Sequence, residues 1–203
     1  MKFPVNEREL ERNYDVIMPE IDRLSLERVN HVWESWPDFV RQAGSWECLR
    51  DIHMMIFGGL FTFAGKIRTV NISKGGFRFA NSIFLDKILP VISDMPQKTF
   101  DDILAKYIEM NIAHPFTEGN GRAMRLWLDA MFEREMNTRI DWRGIKKDEY
   151  LSAMQRSPVN SLELATLLKA SMLKPQELAD RAIFLSGLNA SYSYERFPQI
   201  SAL

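Results

Sequence analysis

Along most of the chain, apolar side chains recur three and four residues apart, the spacing of a helix with one face turned inward. Asn6 followed by Glu9 has the form of a capping box and predicts a helix running to about Glu20. A second helical stretch begins near Ser25 and is expected to break at Pro37, which has no N–H to give to a helical ladder. Ser45 caps a helix with Leu49, Ile52, Ile56 and Phe57 on one face, ending at Gly58-Gly59. Helical spacing resumes from Asn81 to about Asp94. Thr99 then caps Phe100 to Ala113, with Ile103, Leu104, Tyr107, Ile108 and Ile112 inward. From Arg122 to Met136 the apolar residues Ala123, Met124, Leu126, Trp127, Leu128, Met131 and Phe132 cover most of the circumference, which marks a buried, central helix. Further helices are expected at about Lys146 to Gln155, Ser161 to Met172 and Pro175 to Ser186, with a short one near Asn189 to Phe197.

One segment breaks this period. Thr69 to Ser73 and Phe77 to Phe79 alternate in polarity around Lys74-Gly75-Gly76, which reads as a short β-hairpin. A lone hairpin is marginally stable, so it must dock on the helices or move. The expected architecture is therefore all-α, a helical bundle with one short β-hairpin, in a single domain over residues 1–203.

Composition narrows the function. The 203 residues are 46% hydrophobic and 26% charged, enough to bury a sizeable core. A formal net charge of −1 lacks the basic excess with which proteins grip nucleic acid, so no direct nucleic-acid partner is expected. The single cysteine, Cys48, rules out an internal disulfide and suits a reducing, cytoplasmic setting. The start shows no secretory signal, and no apolar run is long enough to span a bilayer. The exposed share of the 11 methionines and the aromatics leaves a homo-oligomer open.

The chemistry concentrates in His114-Pro-Phe-Thr-Glu-Gly-Asn-Gly-Arg-Ala-Met-Arg125, between two helices. Gly119 and Gly121 flank Asn120 just before the buried helix, where backbone amides and the helix N-terminus form an anion site. Arg122 and Arg125, three apart, suit a polyphosphate. Glu118 supplies an oxygen ligand for Mg²⁺ beside phosphates. His114, at a helix end, is the natural general base for a hydroxyl. A lone histidine there is more often a cap, a lone Gly-Asn-Gly a turn, and an Arg pair a solvated face; their coincidence in one loop carries the argument.

This loop resembles the signature of the Fic family, His-x-Phe-x-Asp/Glu-Gly-Asn-Gly-Arg-x-x-Arg, at every specified position, and the likeness covers roughly Ser45 to Met172. The resemblance implies a Fic-type bundle whose hairpin is a flap that aligns a target protein by strand-like pairing over residues 69–80. It implies AMP transfer from ATP to a Tyr, Thr or Ser hydroxyl with release of pyrophosphate. His114 would deprotonate the hydroxyl, Phe116 anchor the loop and Glu118 hold Mg²⁺. Gly119, Asn120 and Gly121 would bind the α-phosphate, and Arg122 and Arg125 the β- and γ-phosphates. Lys74 at the flap turn is a further candidate for the nucleotide. Gly121 stands where the kinase-like Doc branch carries a lysine, which favours AMP transfer.

The tail resembles the family's inhibitory helix, Ser/Thr-x-x-x-Glu-Gly/Asn, through Ser191 and Glu195, although Arg196 departs from the small residue usual there. Glu195 would pair with Arg125 and remove the cation meant for the γ-phosphate. Tyr192 and Tyr194 are candidates for self-modification. A nucleotide-binding module without chemistry, and the reverse reaction that removes AMP, are the competing readings.

Overall fold

The computed structural model describes residues 2–74, 76–192 and 194. Among them run ten α-helices, α1 (Glu7–Arg12), α2 (Tyr14–Val29), α3 (Val32–Arg41), α4 (Trp46–Phe57), α5 (Leu85–Ser93), α6 (Phe100–Ala113), α7 (Asn120–Met136), α8 (Lys147–Arg156), α9 (Leu162–Ala170) and α10 (Arg181–Tyr192), and one hairpin, β1 (Ser73–Lys74) with β2 (Phe77–Arg78). The all-α bundle with a hairpin is the expected architecture.

Helix α7 is its axis. Every residue from Arg122 to Phe132 is buried, and α3, α4 and α6 pack around it. Local signals set the flanking helices: Ser45 Oγ accepts from Cys48 N–H at 3.1 Å, and Thr99 with Asp102 forms a capping box that opens α6. The hairpin is antiparallel, Ser73 opposite Arg78 and Lys74 opposite Phe77. It is shorter than its alternating pattern predicts, because the outer residues bond the body of the protein instead; Ala80 N–H donates to Ile112 O at 2.9 Å.

The N-terminal expectations need correction. The helix predicted to Glu20 is two, divided at Asn13, whose side-chain amide donates to Glu9 O (3.3 Å) and competes with the helical ladder. Proline does not break α3, which runs through Pro37 because Trp36 and Phe39 on either side are buried in the core. Ile112 is only partly buried. The stretch from Pro175 opens as a 3-10 turn, and α10 runs unbroken from the first of the two last predicted helices into the second as far as Tyr192; the rest of the second, Tyr194 apart, lies outside the described residues.

Candidate active site

His114 caps α6 in the left-handed conformation (φ 47°, ψ 65°), one of two such non-glycine residues described. That backbone turn swings the chain from α6 into the loop and is sparsely populated for a side chain with a Cβ. The ring lies flat against Phe79 of the flap, centroids 3.7 Å apart at 17°. Its Nδ1 lies 3.2 Å from Asn111 O. A carbonyl only accepts, so Nδ1 carries a proton, and Nε2 is the nitrogen that accepts when the ring is neutral.

The ring borders a cavity of about 250 Å³. The flap contributes Ile72, Lys74, Phe77 and Phe79, and the loop Thr117, Glu118, Gly119, Asn120 and Gly121. Tyr107, Met124, Tyr150 and Met154 give it an apolar wall, and Arg125 reaches its edge. The amides of Asn120 and Gly121 precede the first rung of α7, which Ala123 N–H makes to Gly119 O (3.2 Å). The positive end of the 17-residue helix α7 therefore meets the cavity that His114 lines.

Buried contacts shape the loop. Phe116 is fully buried, stacked on His53 (3.8 Å) and Trp46 (5.4 Å). The Asn120 side chain accepts from Phe116 N–H (2.9 Å) and donates to Phe116 O (2.6 Å), clasping both ends of one residue. Gly119 has φ +83°, and a Cβ there would lie 2.4 Å from the Phe57 ring, so both backbone and space demand glycine. His53 accepts from Gly65 N–H at Nδ1 (3.0 Å), which leaves Nε2–H to donate to Glu118 O (2.8 Å). Burial pushes its pKa down to about 3, so the ring is neutral.

The carboxylate of Glu118 accepts from Gly119 N–H (2.8 Å), Arg122 Nη2 (3.4 Å) and Tyr14 Oη (3.3 Å). Two carboxylate oxygens offer about four acceptor positions. A hard cation can therefore share Glu118 with these donors, in the manner of Mg²⁺ held by one carboxylate and phosphate oxygens.

The two arginines part company. Arg125 lines the cavity; its Nη2 donates to Ser191 O of α10 at 3.0 Å, and its guanidinium lies over the rings of Tyr194 (5.3 Å) and Tyr150 (5.9 Å). Arg122 is not among the residues that line the cavity. It pairs with Asp22 of α2 at 2.6 Å, between the rings of Phe57 and Tyr192.

A match to the model of the Fic/DOC family spans residues 45–132. That stretch is a Fic domain. Over 154 residues the chain is 28% identical to the protein adenylyltransferase VbhT of Bartonella schoenbuchensis, covering 70% of this chain and 32% of that protein. It is 26% identical over 125 residues to the probable protein adenylyltransferase Fic of Escherichia coli, covering 56% of this chain and 62% of that one. The chain thus matches about a third of the first relative and under two thirds of the second. Among solved structures, the BepC protein of Bartonella tribocorum with bound AMPPNP superposes with a TM-score of 0.63 at 17% identity, covering 78% of this chain and 87% of that one. The N-terminal Fic domain of a Bartonella quintana putative cell filamentation protein with bound ADP gives 0.65 at 18%, covering 91% and 94%. These likenesses establish the fold.

The loop and α7 bring His114, Glu118, Gly119, Asn120, Gly121 and Arg125 around one cavity, and the flap brings Lys74. Arg122 it does not bring there, and the Asn120 side chain is engaged with Phe116, which leaves the backbone of Asn120 to face a ligand. In the tail Ser191 is buried beside Arg125, whereas Glu195 lies outside the described residues. The phenols of Tyr192 and Tyr194 do not suit self-modification in this arrangement: Tyr192 bonds Ser25, and Tyr194 donates to Ile145 O (2.5 Å) and Trp142 O (3.2 Å) in the core. Sequence reasoning missed His53, Tyr14 and Asp22. Only His53 carried a local signal, a polar residue on the apolar face of α4. Among the described residues no helix is long and apolar enough to cross a membrane.

Proposed function

We propose that this chain transfers AMP from ATP to a hydroxyl of a target protein and releases pyrophosphate. The observation that carries the reading is the shared cavity, with His114 on one side and the N-terminal amides of α7 on another. The naming of VbhT and of the E. coli Fic protein as adenylyltransferases, and the AMPPNP and ADP bound by fold neighbours, support it.

In this scheme the triphosphate lies over the start of α7, with the α-phosphate at the amides of Asn120 and Gly121 and the terminal phosphates toward Arg125. The apolar wall of Tyr107, Met124, Tyr150 and Met154 takes the base. His114 Nε2 removes the hydroxyl proton as the oxygen bonds the α-phosphorus. The bond from that phosphorus to the bridging oxygen breaks, and pyrophosphate leaves with its electron pair. Mg²⁺ on Glu118 supplies charge neutralisation to the phosphates. Fixed amides and cations that meet charge as it develops account for most of such a rate gain. Arg122 works from behind, bracing Glu118. The target lies along the flap, where main-chain pairing sets geometry with little demand on sequence. Buried Cys48, its thiol pushed up to about 12 by burial, suits a reducing cytoplasm.

Restraint by the tail belongs to the same reading. The bond from Arg125 to Ser191 O already turns this guanidinium toward α10, and Glu195 stands four positions further along the sequence. ATP labelled on the α-phosphate should mark protein in a bacterial lysate, and more strongly with the Glu195→Gly chain; ATP labelled on the γ-phosphate should mark none. Labelling from the γ-position alone would assign a kinase. Equal α-labelling by both chains would remove the inhibitory role of Glu195.

A further inference from the structure

Arg68 is 2% exposed and lies in the chain between α4 and the flap, outside the motif. Its guanidinium donates to four main-chain carbonyls: Val70 O (2.7 Å), Ala80 O (2.6 Å), Ala113 O (3.1 Å) and His114 O (2.8 Å). The first two are the two ends of the flap. The last two are the end of α6 and the left-handed residue that carries the base. The Arg68 amide adds a bond to Pro115 O at 2.8 Å.

We infer that Arg68 is a positioning residue that locks the flap to the general base, so that a hydroxyl presented by the flap meets Nε2 of His114 at a fixed distance. The inference rests on the proposed AMP transfer. Three features carry it. The planar fork of a guanidinium satisfies several acceptors at once, which a lysine ammonium on its flexible stem does poorly. Two of the acceptors are carbonyls at the end of a helix, where a cation is favoured. Finally, the tether fixes a pair of rings, because Phe79 at the flap's exit lies flat on His114. Backbone at residue 114 and ring at residue 79 are thereby referenced to the same buried group.

Displacement of the reacting groups by about 1 Å costs on the order of 100-fold in rate. Arg68→Lys and Arg68→Gln, made in the 203-residue chain with and without Glu195→Gly, are compared by transfer from α-labelled ATP to lysate protein. The expected result is an apparent kcat about 100-fold lower, with KM for ATP within about threefold, because the amides of α7 and Arg125 are untouched. In parallel, hydrogen exchange should quicken together in the flap (70–80) and in residues 112–116. An unchanged kcat, a KM that rises in step with the loss, or loss of the fold in both variants would assign Arg68 to stability alone and overturn the inference. A parent chain that transfers no label sinks the functional reading instead. The exchange measurement then decides the tether by itself: joint loosening sustains it, and loosening of one segment or neither ends it.

Discussion

The loop of residues 114–121 and the flap of residues 70–80 face each other across one cavity, yet they are held by opposite means. The loop is tied down from beneath by buried side chains: Asn120 clasps Phe116, His53 fixes Glu118 O, and Phe57 leaves room at residue 119 for a hydrogen only. The flap is fixed at its base, by Arg68 and by Ala80 N–H on Ile112 O, while its two-residue strands carry exposed Lys74 and Arg78. A loop that must aim amides at a phosphate gains from rigidity, since preorganised dipoles cost nothing to reorient during reaction. A flap that receives a foreign chain needs a fixed root and an unobstructed edge.

The sharpest way to break this contrast is at His114. Its ring is positioned by both regions, by Asn111 O from α6 and by Phe79 from the flap. His114→Ala should lower AMP transfer by about 10²- to 10⁴-fold, the usual contribution of a general base, while ATP affinity measured by calorimetry changes little. Retention of full transfer would remove the base from the mechanism.

The next test is on the loop's underside. Asn120→Ala deletes both bonds to Phe116 and leaves a buried N–H and C=O without their partner. The expected loss is roughly 2–4 kcal/mol of unfolding free energy, read by urea denaturation, together with weaker nucleotide binding. A loss below about 0.5 kcal/mol, the range of a neutral surface change, would show that the clasp does not hold the loop.

The difference between the regions also explains what could be read from the chain. The loop's candidates fall within twelve residues, and the glycines and helix caps that shape it act locally, so Ser45, Thr99 and the 114–125 motif announced themselves. The supports beneath them did not. His53 meets Glu118 across 65 positions, Arg68 meets His114 across 46 and Asp22 meets Arg122 across 100, separations that periodicity cannot connect. Likewise the spacing of Arg122 from Arg125 predicts a shared side and says nothing of the partly buried Asp22 carboxylate that Arg122 meets on α2. Asn13 and Pro37 misled in the other direction. At Asn13 a side chain ended a helix that propensity would continue, and at Pro37 packing continued one that propensity would end.

The smallest effect is expected on the flap itself. Phe79 N–H donates to Ile72 O at 3.3 Å, which makes residues 72 and 79 a hydrogen-bonded pair. In an antiparallel ladder such pairs alternate, so Ser73 and Arg78 form the non-bonded pair between, and their main-chain groups point outward to the two edges. A target strand would meet those amides and carbonyls rather than the Arg78 side chain, which is exposed. Arg78→Ala should therefore shift unfolding free energy by no more than about 0.5 kcal/mol. Transfer of α-label to lysate protein should stay close to that of the parent chain. A large fall in transfer at unchanged stability would mean that the flap reads its target through side chains, and the division between a rigid loop and a sequence-tolerant flap would have to be redrawn.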